Sequence, residues 1–469
     1  MPNRRVRAIS RTLAAVVIIV VLVVAGLAAY FVYYRAPSSK PSPLYLSGTL
    51  NVVAFSGYND AAMRKIASDF MAAYPNVTVN LVLEPYGSSL TAYLTAFNAS
   101  QSQFDVIGLG SSGFMGALAP YLLNLSPYLN NASYFPASWN SSDVIQSTMG
   151  LYELNGSNYG IPMIGGVVCF YYRPSLFNNV TNQQAFQQQF GYALPNPATT
   201  TLSLSQLTDV ASFFNGNHGS RYGIVLPSDS GDDDIIGYYM VILSGSRVAA
   251  NSTYGPVTSP YGVVMSSTGQ FLINSSIGQS ALNTYIKLVS NSEAPLSASF
   301  STVPAYFAAG DAAMMLYSAS PALYLNNASR SSIPNDWALA PHMPGGYSIL
   351  GGVGIGVYKY SQNIPAAVAF VQFATSQNES TNFVSLNNLL PFRYSGFTYY
   401  GQINPTYSNA LASLASTMAY SIQGYANTAY WPQVSSIFRS AFPDMYSGKV
   451  SVATGTNQVV AQIYSSIGS

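Results

Sequence analysis

The chain of 469 residues carries a formal net charge of +1 and only 7% charged residues, against roughly a quarter in an ordinary soluble protein. That length exceeds one compact core and suits two or three domains, while near-neutrality excludes an electrostatic footprint for nucleic acid or an anionic bilayer. A single cysteine, Cys169, excludes an intrachain disulfide and a multi-cysteine metal site.

Cys169 itself reads as a small buried hydrophobe in a strand. Tyr, Ser, Thr, Asn and Gln fill the surface where acids and bases would stand. Such a surface changes little when carboxylates protonate, so we expect an acidic exterior and a melting temperature that moves little between about pH 7 and pH 3.

Residues 1–12 contain Arg4, Arg5, Arg7 and Arg11 and no acid. Residues 13–34, "LAAVVIIVVLVVAGLAAYFVYY", then run without a charge, long enough for a hydrocarbon core of about 30 Å. Tyr30, Tyr33 and Tyr34 stand where an interfacial aromatic belt belongs, and the arginines place the N-terminus in the cytoplasm and the bulk of the chain outside. The expected order is therefore a basic cytoplasmic segment (1–12), a retained transmembrane anchor (13–34) and a stiff Pro/Ser spacer (35–47). The alternatives are a signal peptide cut near Ala28-Ala29 and a cut after Ala8, which resembles archaeal pilin-type signals and leaves the helix in place. Eleven N-x-S/T sequons beyond this point, from Asn76 to Asn378, agree with an extracellular glycoprotein.

From residue 48 strands and helices alternate. "TLNVVAF" (49–55) reads as a buried strand. "NDAAMRKIASDFMAAYP" spaces Ala62, Ile66, Phe70 and Ala73 as a helix that Pro75 closes. "VTVNLVLE", the Ser-capped "SSLTAYLTAFNAS" and "FDVIGLG" continue the alternation, which predicts an α/β fold with a parallel sheet. Ligands in such sheets lie beyond the carboxyl ends of the strands. Here those ends are Ser56-Gly57-Tyr58, Glu84-Pro85-Tyr86 and Gly110-Ser111-Ser112, so Tyr58, Glu84 and Ser112 are candidate hydrogen-bonding residues.

Four stretches then occur in a telling order: "NGSNYGIP…VCFYYRPSLF", "FAAGDAAMMLYSASPALY", "DWALAPHMPGG" and "IPAAVAFVQFATSQNESTNF". Together they resemble the family 1 extracellular solute-binding proteins, the maltose-binding-protein-like receptors of ABC importers, here in an archaeal type. The resemblance covers residues 48–469. It implies a two-lobed type II fold with three crossings, near Met163–Cys169, Met314–Ser318 and Gly351–Gly356. Lobe 1 would be 48–165 with 317–352, and lobe 2 would be 166–316 with 353–469. Gly165, Gly166 and Gly351 would absorb the hinge rotation, since glycine adopts the required backbone angles freely.

The resemblance also implies a cleft. Trp431, in "AYWPQV", stands where sugar-binding relatives place a stacking aromatic; a core tryptophan at a helix start is the alternative. Gly166 and Gly352 would admit backbone groups to the ligand, and Ser318 closes the second crossing. Asp232, Asp233 and Asp234, in "SDSGDDD", would line a cleft-facing loop or serve as an acidic helix cap. The spacing lacks the D-x-D-x-D-G of a calcium loop.

Enzyme motifs are missing: no H-E-x-x-H, G-x-S-x-G or Walker loop occurs, and His218 and His342 are far apart. No cofactor is implied, and nucleotide hydrolysis belongs to a partner subunit. With no clustered Arg or Lys to hold a carboxylate or phosphate, the expected ligand is a neutral mono- or oligosaccharide, delivered by a monomeric receptor to ABC permease subunits. An adhesive surface glycoprotein and a secreted glycoside hydrolase with paired carboxylates are the rival readings.

Overall fold

The computed structural model describes residues 45–468 apart from 57–58, 99–103, 112, 232–233, 250–252, 254–256, 258–260, 300–301, 324, 388, 404–407, 420 and 425. The apolar stretch at 13–34 lies outside the described residues, and among these no helix is long and apolar enough to cross a membrane.

The first lobe begins with the alternation read from the sequence. Strand β1 is Gly48–Phe55, helix α1 Asp60–Ala73, β2 Val77–Glu84, α2 Tyr86–Asn98 and β3 Val106–Gly110. β1 pairs in parallel with β2 over its full length and with β3 at Val52 and Val53. α1 buries Ala62, Met63, Ile66, Ala67 and Phe70, a stripe three to four residues apart that can face only one way. A short helix, α3 (Phe114–Leu118), follows β3.

After the hairpin β4 (Glu153–Leu154) and β5 (Ser157–Asn158) comes the long strand β6, Ile161–Tyr172. The second lobe is then built from α4 (Leu204–Phe214), β7 (Tyr222–Val225), α5 (Asp234–Ala249), α6 (Ser276–Ser290), β8 (Ala312–Ser318) and β9 (Ala338–Leu339). β10 (Ile349–Val357) leads into α7 (Ile364–Ala374), α8 (Gln377–Asn387) and α9 (Ser408–Ala419); β11 (Ile422–Gln423), α10 (Trp431–Tyr446) and α11 (Val452–Ile467) complete the chain. The sheet order is β2-β1-β3-β10-β6-β8-β7, with β9 on β6 and β11 on β10.

β6 and β10 each serve both lobes. The Ile161–Val167 part of β6 lies antiparallel to β10, whereas Val168–Tyr172 lies against β8. Val353–Val357 of β10 pairs with β3, while Ile349 and Leu350 pair with β11. At the changeover Gly351 faces Gly166 and Gly352 faces Gly165. A Cβ on Gly166 would stand 2.8 Å from the Gly351 carbonyl carbon and the Gly352 nitrogen, and one on Gly352, at φ +129°, would strike the Ile164 carbonyl. The close approach therefore requires glycine. The side-chain positions of Gly166 and Gly352 are filled by each other's strand, so glycine is required there for the pairing of the strands.

The lobe boundaries are corrected as well. Among the described residues, β8 pairs with β6 beyond Val167 and with β7, so Met314–Ser318 lies inside the second lobe and is no crossing. Residues 353–469 do not all belong to lobe 2. Phe370 and Phe373 of α7 pack on Phe70 of α1 at ring-centroid distances of 5.1 and 5.4 Å, and α8 lies against α1. This aromatic cluster ties 353–387 to the first lobe, and the chain returns to the second between α9 and β11.

Each lobe has an internal ionic staple. Fully buried Arg393 donates twice to the Thr375 carbonyl, at 2.8 and 3.0 Å, reaches Asp143 at 3.3 Å and stacks over Trp139. In the second lobe Arg173 donates to Asp336 at 3.0 Å and to the Gly310 carbonyl at 2.7 Å. Cys169 is buried in β6, as expected, and burial pushes its thiol pKa up.

Two outcomes follow from this packing. Gly166→Ala should lower stability by about 1–3 kcal/mol in thermal or urea melts, because backbone and not a movable side chain blocks the new methyl. Glu293 is 1% exposed, and burial raises its pKa to about 7, above the unfolded value of about 4.3. Its cost is absent below the unfolded value and grows as pH rises through the window up to about 7, where only the unfolded chain ionises, so this buried acid works against the flat pH response expected from the sparse charges. Glu293→Gln should therefore raise the melting temperature at pH 8 and leave it nearly unchanged at pH 4, a difference worth up to ~3 kcal/mol.

Candidate functional site

The chain leaving the carboxyl end of β3 meets the second lobe beside the β6–β10 changeover. Ser111 follows β3 and is buried, with its hydroxyl 3.7 Å from a Cβ placed on Gly351. Gly113 then turns the chain at φ +72°. A Cβ there would lie 2.8 Å from Trp431 Cδ1, and one on Gly116 would run into the backbone of Asn427 and Thr428. Two glycines of the first lobe thus seat the second-lobe segment that precedes and opens α10. The lobes touch directly along this line.

Trp431 is 2% exposed and belongs to the apolar core of the second lobe. Its backbone N–H donates to the Thr428 carbonyl at 3.1 Å, and its pyrrole edge is covered by Gly113. That edge of the indole therefore lies against the first lobe.

Two buried carboxamides have no hydrogen-bond partner, Asn427 at this contact and Asn59 just beyond the carboxyl end of β1. Asn59 is fully buried, and neither Oδ1 nor Nδ2 is satisfied. It occupies the N-cap position of α1, where an asparagine ordinarily accepts a bond from the first turn, yet it makes no cap bond. Asn387 Oδ1 takes that duty instead, accepting from the Ala62 N–H at 2.9 Å. Asn427, 2% exposed, also leaves both side-chain polar atoms unsatisfied. The strip formed by Ser111, Gly113, Gly116, Gly351, Asn427 and Thr428 carries no ionisable side chain.

Other expected site residues are spread out. Glu84 ends the edge strand β2, paired with Phe55; burial, helped by the Glu84 charge, pushes the pKa of nearby Tyr93 up. Ser318 pairs with Val168, and its carbonyl accepts from the Tyr171 hydroxyl at 2.8 Å. Tyr58, Ser112, Asp232 and Asp233 lie outside the described residues. The loop before the aspartates is held by Arg439, which donates to the Gly231 carbonyl at 2.9 Å. No cluster of three metal-ligating side chains occurs among the described residues.

Sequence reasoning missed Gly113, Gly116, Asn59 and Asn427. Asn59 had a signal, an asparagine between a buried strand and a helix, but that pattern reads as an ordinary cap. Asn427 has none. A depression of about 260 Å³ on the first lobe, lined by Phe135, Trp139 and Gln146 among others, differs from the cleft. There the Gln146 amide is spent on the Ser141 and Val144 carbonyls.

Comparison with known proteins agrees with this geometry. Residues 56–379 match the family model described as bacterial extracellular solute-binding protein. The chain belongs to that family. Its members are binding proteins, not enzymes. A mannitol-binding protein of Pseudomonas aeruginosa is 27% identical over 195 residues, covering 40% of this chain and 39% of that protein. Among solved structures, maltose-bound MalE3 of Thermotoga maritima superposes with a TM-score of 0.64 at 16% identity, covering 88% of this chain and 98% of its own. MalE of Xanthomonas citri gives 0.66 at 16% identity, covering 89% and 96%. An Agrobacterium vitis receptor with bound D-mannitol gives 0.61 at 16% identity, covering 90% and 98%. At these identities the superpositions establish the two-lobed α/β fold.

Replacing Gly116 by valine should wedge the lobes apart. The expected result is a larger radius of gyration in small-angle scattering with an unchanged far-UV circular dichroism spectrum. Scattering identical to wild type would show that the contact is not part of the shut form.

Proposed function

We propose that this chain is a membrane-anchored extracellular receptor of an ABC importer, which closes its lobes over a neutral sugar or polyol and delivers it to the permease. The observation that carries the reading is the uncharged contact strip between lobes that are joined through paired glycines. A strip without Arg, Lys, Asp or Glu offers nothing to neutralise a phosphate or carboxylate. It favours a guest whose own groups both donate and accept hydrogen bonds. Mannitol in the names of the Pseudomonas and Agrobacterium proteins, and maltose in that of the Thermotoga structure, support this ligand class.

The anchor rests on the sequence: an uncharged run at 13–34 behind four arginines, with the rest of the chain on the outer side. Anchoring by a single helix keeps a monomeric receptor near its permease, and ligand free energy shifts the balance between open and shut forms.

Isothermal titration with maltose, maltotriose and D-mannitol, set against gluconate and glucose 6-phosphate, tests the proposal. Saturable binding of at least one neutral compound, with no product in the cell afterwards, is expected. Binding confined to the charged compounds, or hydrolysis of maltotriose, overturns it.

A further inference from the structure

Resting on that reading, the geometry points to Asn59 and Asn427 as paired specificity determinants, one from each lobe, that hold hydroxyl groups of a neutral polyol when the lobes shut. A buried polar side chain without a partner loses its water and gains nothing in return, so its persistence in a folded chain calls for a visiting partner. Both carboxamides are nearly or fully buried, and each leaves a donor and an acceptor open.

Neither is held in place by a local structural duty. The helix end that Asn59 should cap is served by Asn387 from α8. The backbone of Asn427 is pressed against Gly116 of the opposite lobe, which fixes that strip at the lobe contact. Asn59 lies just beyond the end of β1, and Gly116 lies in the helix after the neighbouring β3. The topology thereby puts one carboxamide on each rim of the same cleft.

The chemistry of the pair selects the guest. A carboxamide presents one donating and one accepting group side by side. A hydroxyl answers both roles, whereas a phosphate or carboxylate only accepts and leaves the amide oxygens unpaired. An apolar guest satisfies neither group. Gln423, whose Nε2 is likewise unsatisfied, adds a third amide on the strand paired with the second-lobe end of β10. Because the two asparagines belong to different lobes, a polyol satisfies both only in the shut form.

The test uses the full-length protein with Asn59→Leu and Asn427→Leu, which keep side-chain volume and remove the polar atoms. Melting temperature is measured without ligand, and affinity is measured for whichever of maltose, maltotriose and D-mannitol binds wild type. Unliganded melting temperatures equal to or above wild type are expected, because an unpaired polar group has been deleted, together with at least a tenfold loss of affinity in each variant. Should Asn59→Leu fail to fold, Asn59→Ser takes its place, with the same loss of affinity expected. Affinities within twofold of wild type, or a lower unliganded melting temperature in both variants, overturn the assignment and leave the receptor reading standing. If wild type binds none of the neutral compounds, the receptor reading and this assignment fall together, a result distinct from equal binding by wild type and variants.

Discussion

The architecture depends on one close contact, the meeting of β6 and β10 at their glycines. Two strands that must leave one lobe and enter another have to keep their ladder of hydrogen bonds while changing partners. With side chains at Gly166 and Gly352 the backbones would be forced apart, and the ladder would open where it has no third strand to replace it. Keeping both residues bare lets one hydrogen-bonded path continue from β2 to β7, so the lobes are parts of one sheet and not beads on a linker. The same bareness removes the steric limit that a side chain would place on the backbone torsions there.

Charge is spent sparingly and away from the lobe contact. Arg393 and Arg173 each bind backbone carbonyls and one aspartate inside a single lobe. Each gathers segments distant in sequence: 140–143 with 375 and 393 in one case, 173 with 310 and 336 in the other. Withdrawing a guanidinium from water, fully at Arg393 and partly at Arg173, is costly and is kept where several acceptors compensate it. Each arginine thereby ties distant segments together within its own lobe, while the strip where the lobes meet remains electrically neutral.

Local pattern made much of this legible. β2 runs over the residues that its alternation marks, α1 covers the spaced Ala62, Ile66, Phe70 and Ala73 and ends before Pro75, and the double glycine in β6 lies at the change of partners. Long-range choices were not legible. The apolar segment Ala312–Ser318 fits a buried strand in either lobe, and only its register against Val168–Tyr172 and β7 decides. Residues 353–387 join the first lobe because Phe370 and Phe373 find Phe70, a meeting of residues some 300 apart in the chain that no window of sequence contains. At the site, Trp431 stood out by rarity. Asn59 and Asn427 did not, since their meaning lies in bonds they fail to make.

The placement of the three tryptophans has a practical consequence. Trp139 is fixed inside the first lobe by its bond to Thr375 Oγ1, and Trp337 inside the second by its bond to Asn326 Oδ1. Trp431 lies against the opposite lobe, sealed by Gly113. Parting the lobes would hydrate that indole and leave the other two in their surroundings, so the protein carries a built-in optical gauge of its own opening, readable as a red shift in emission without any attached dye.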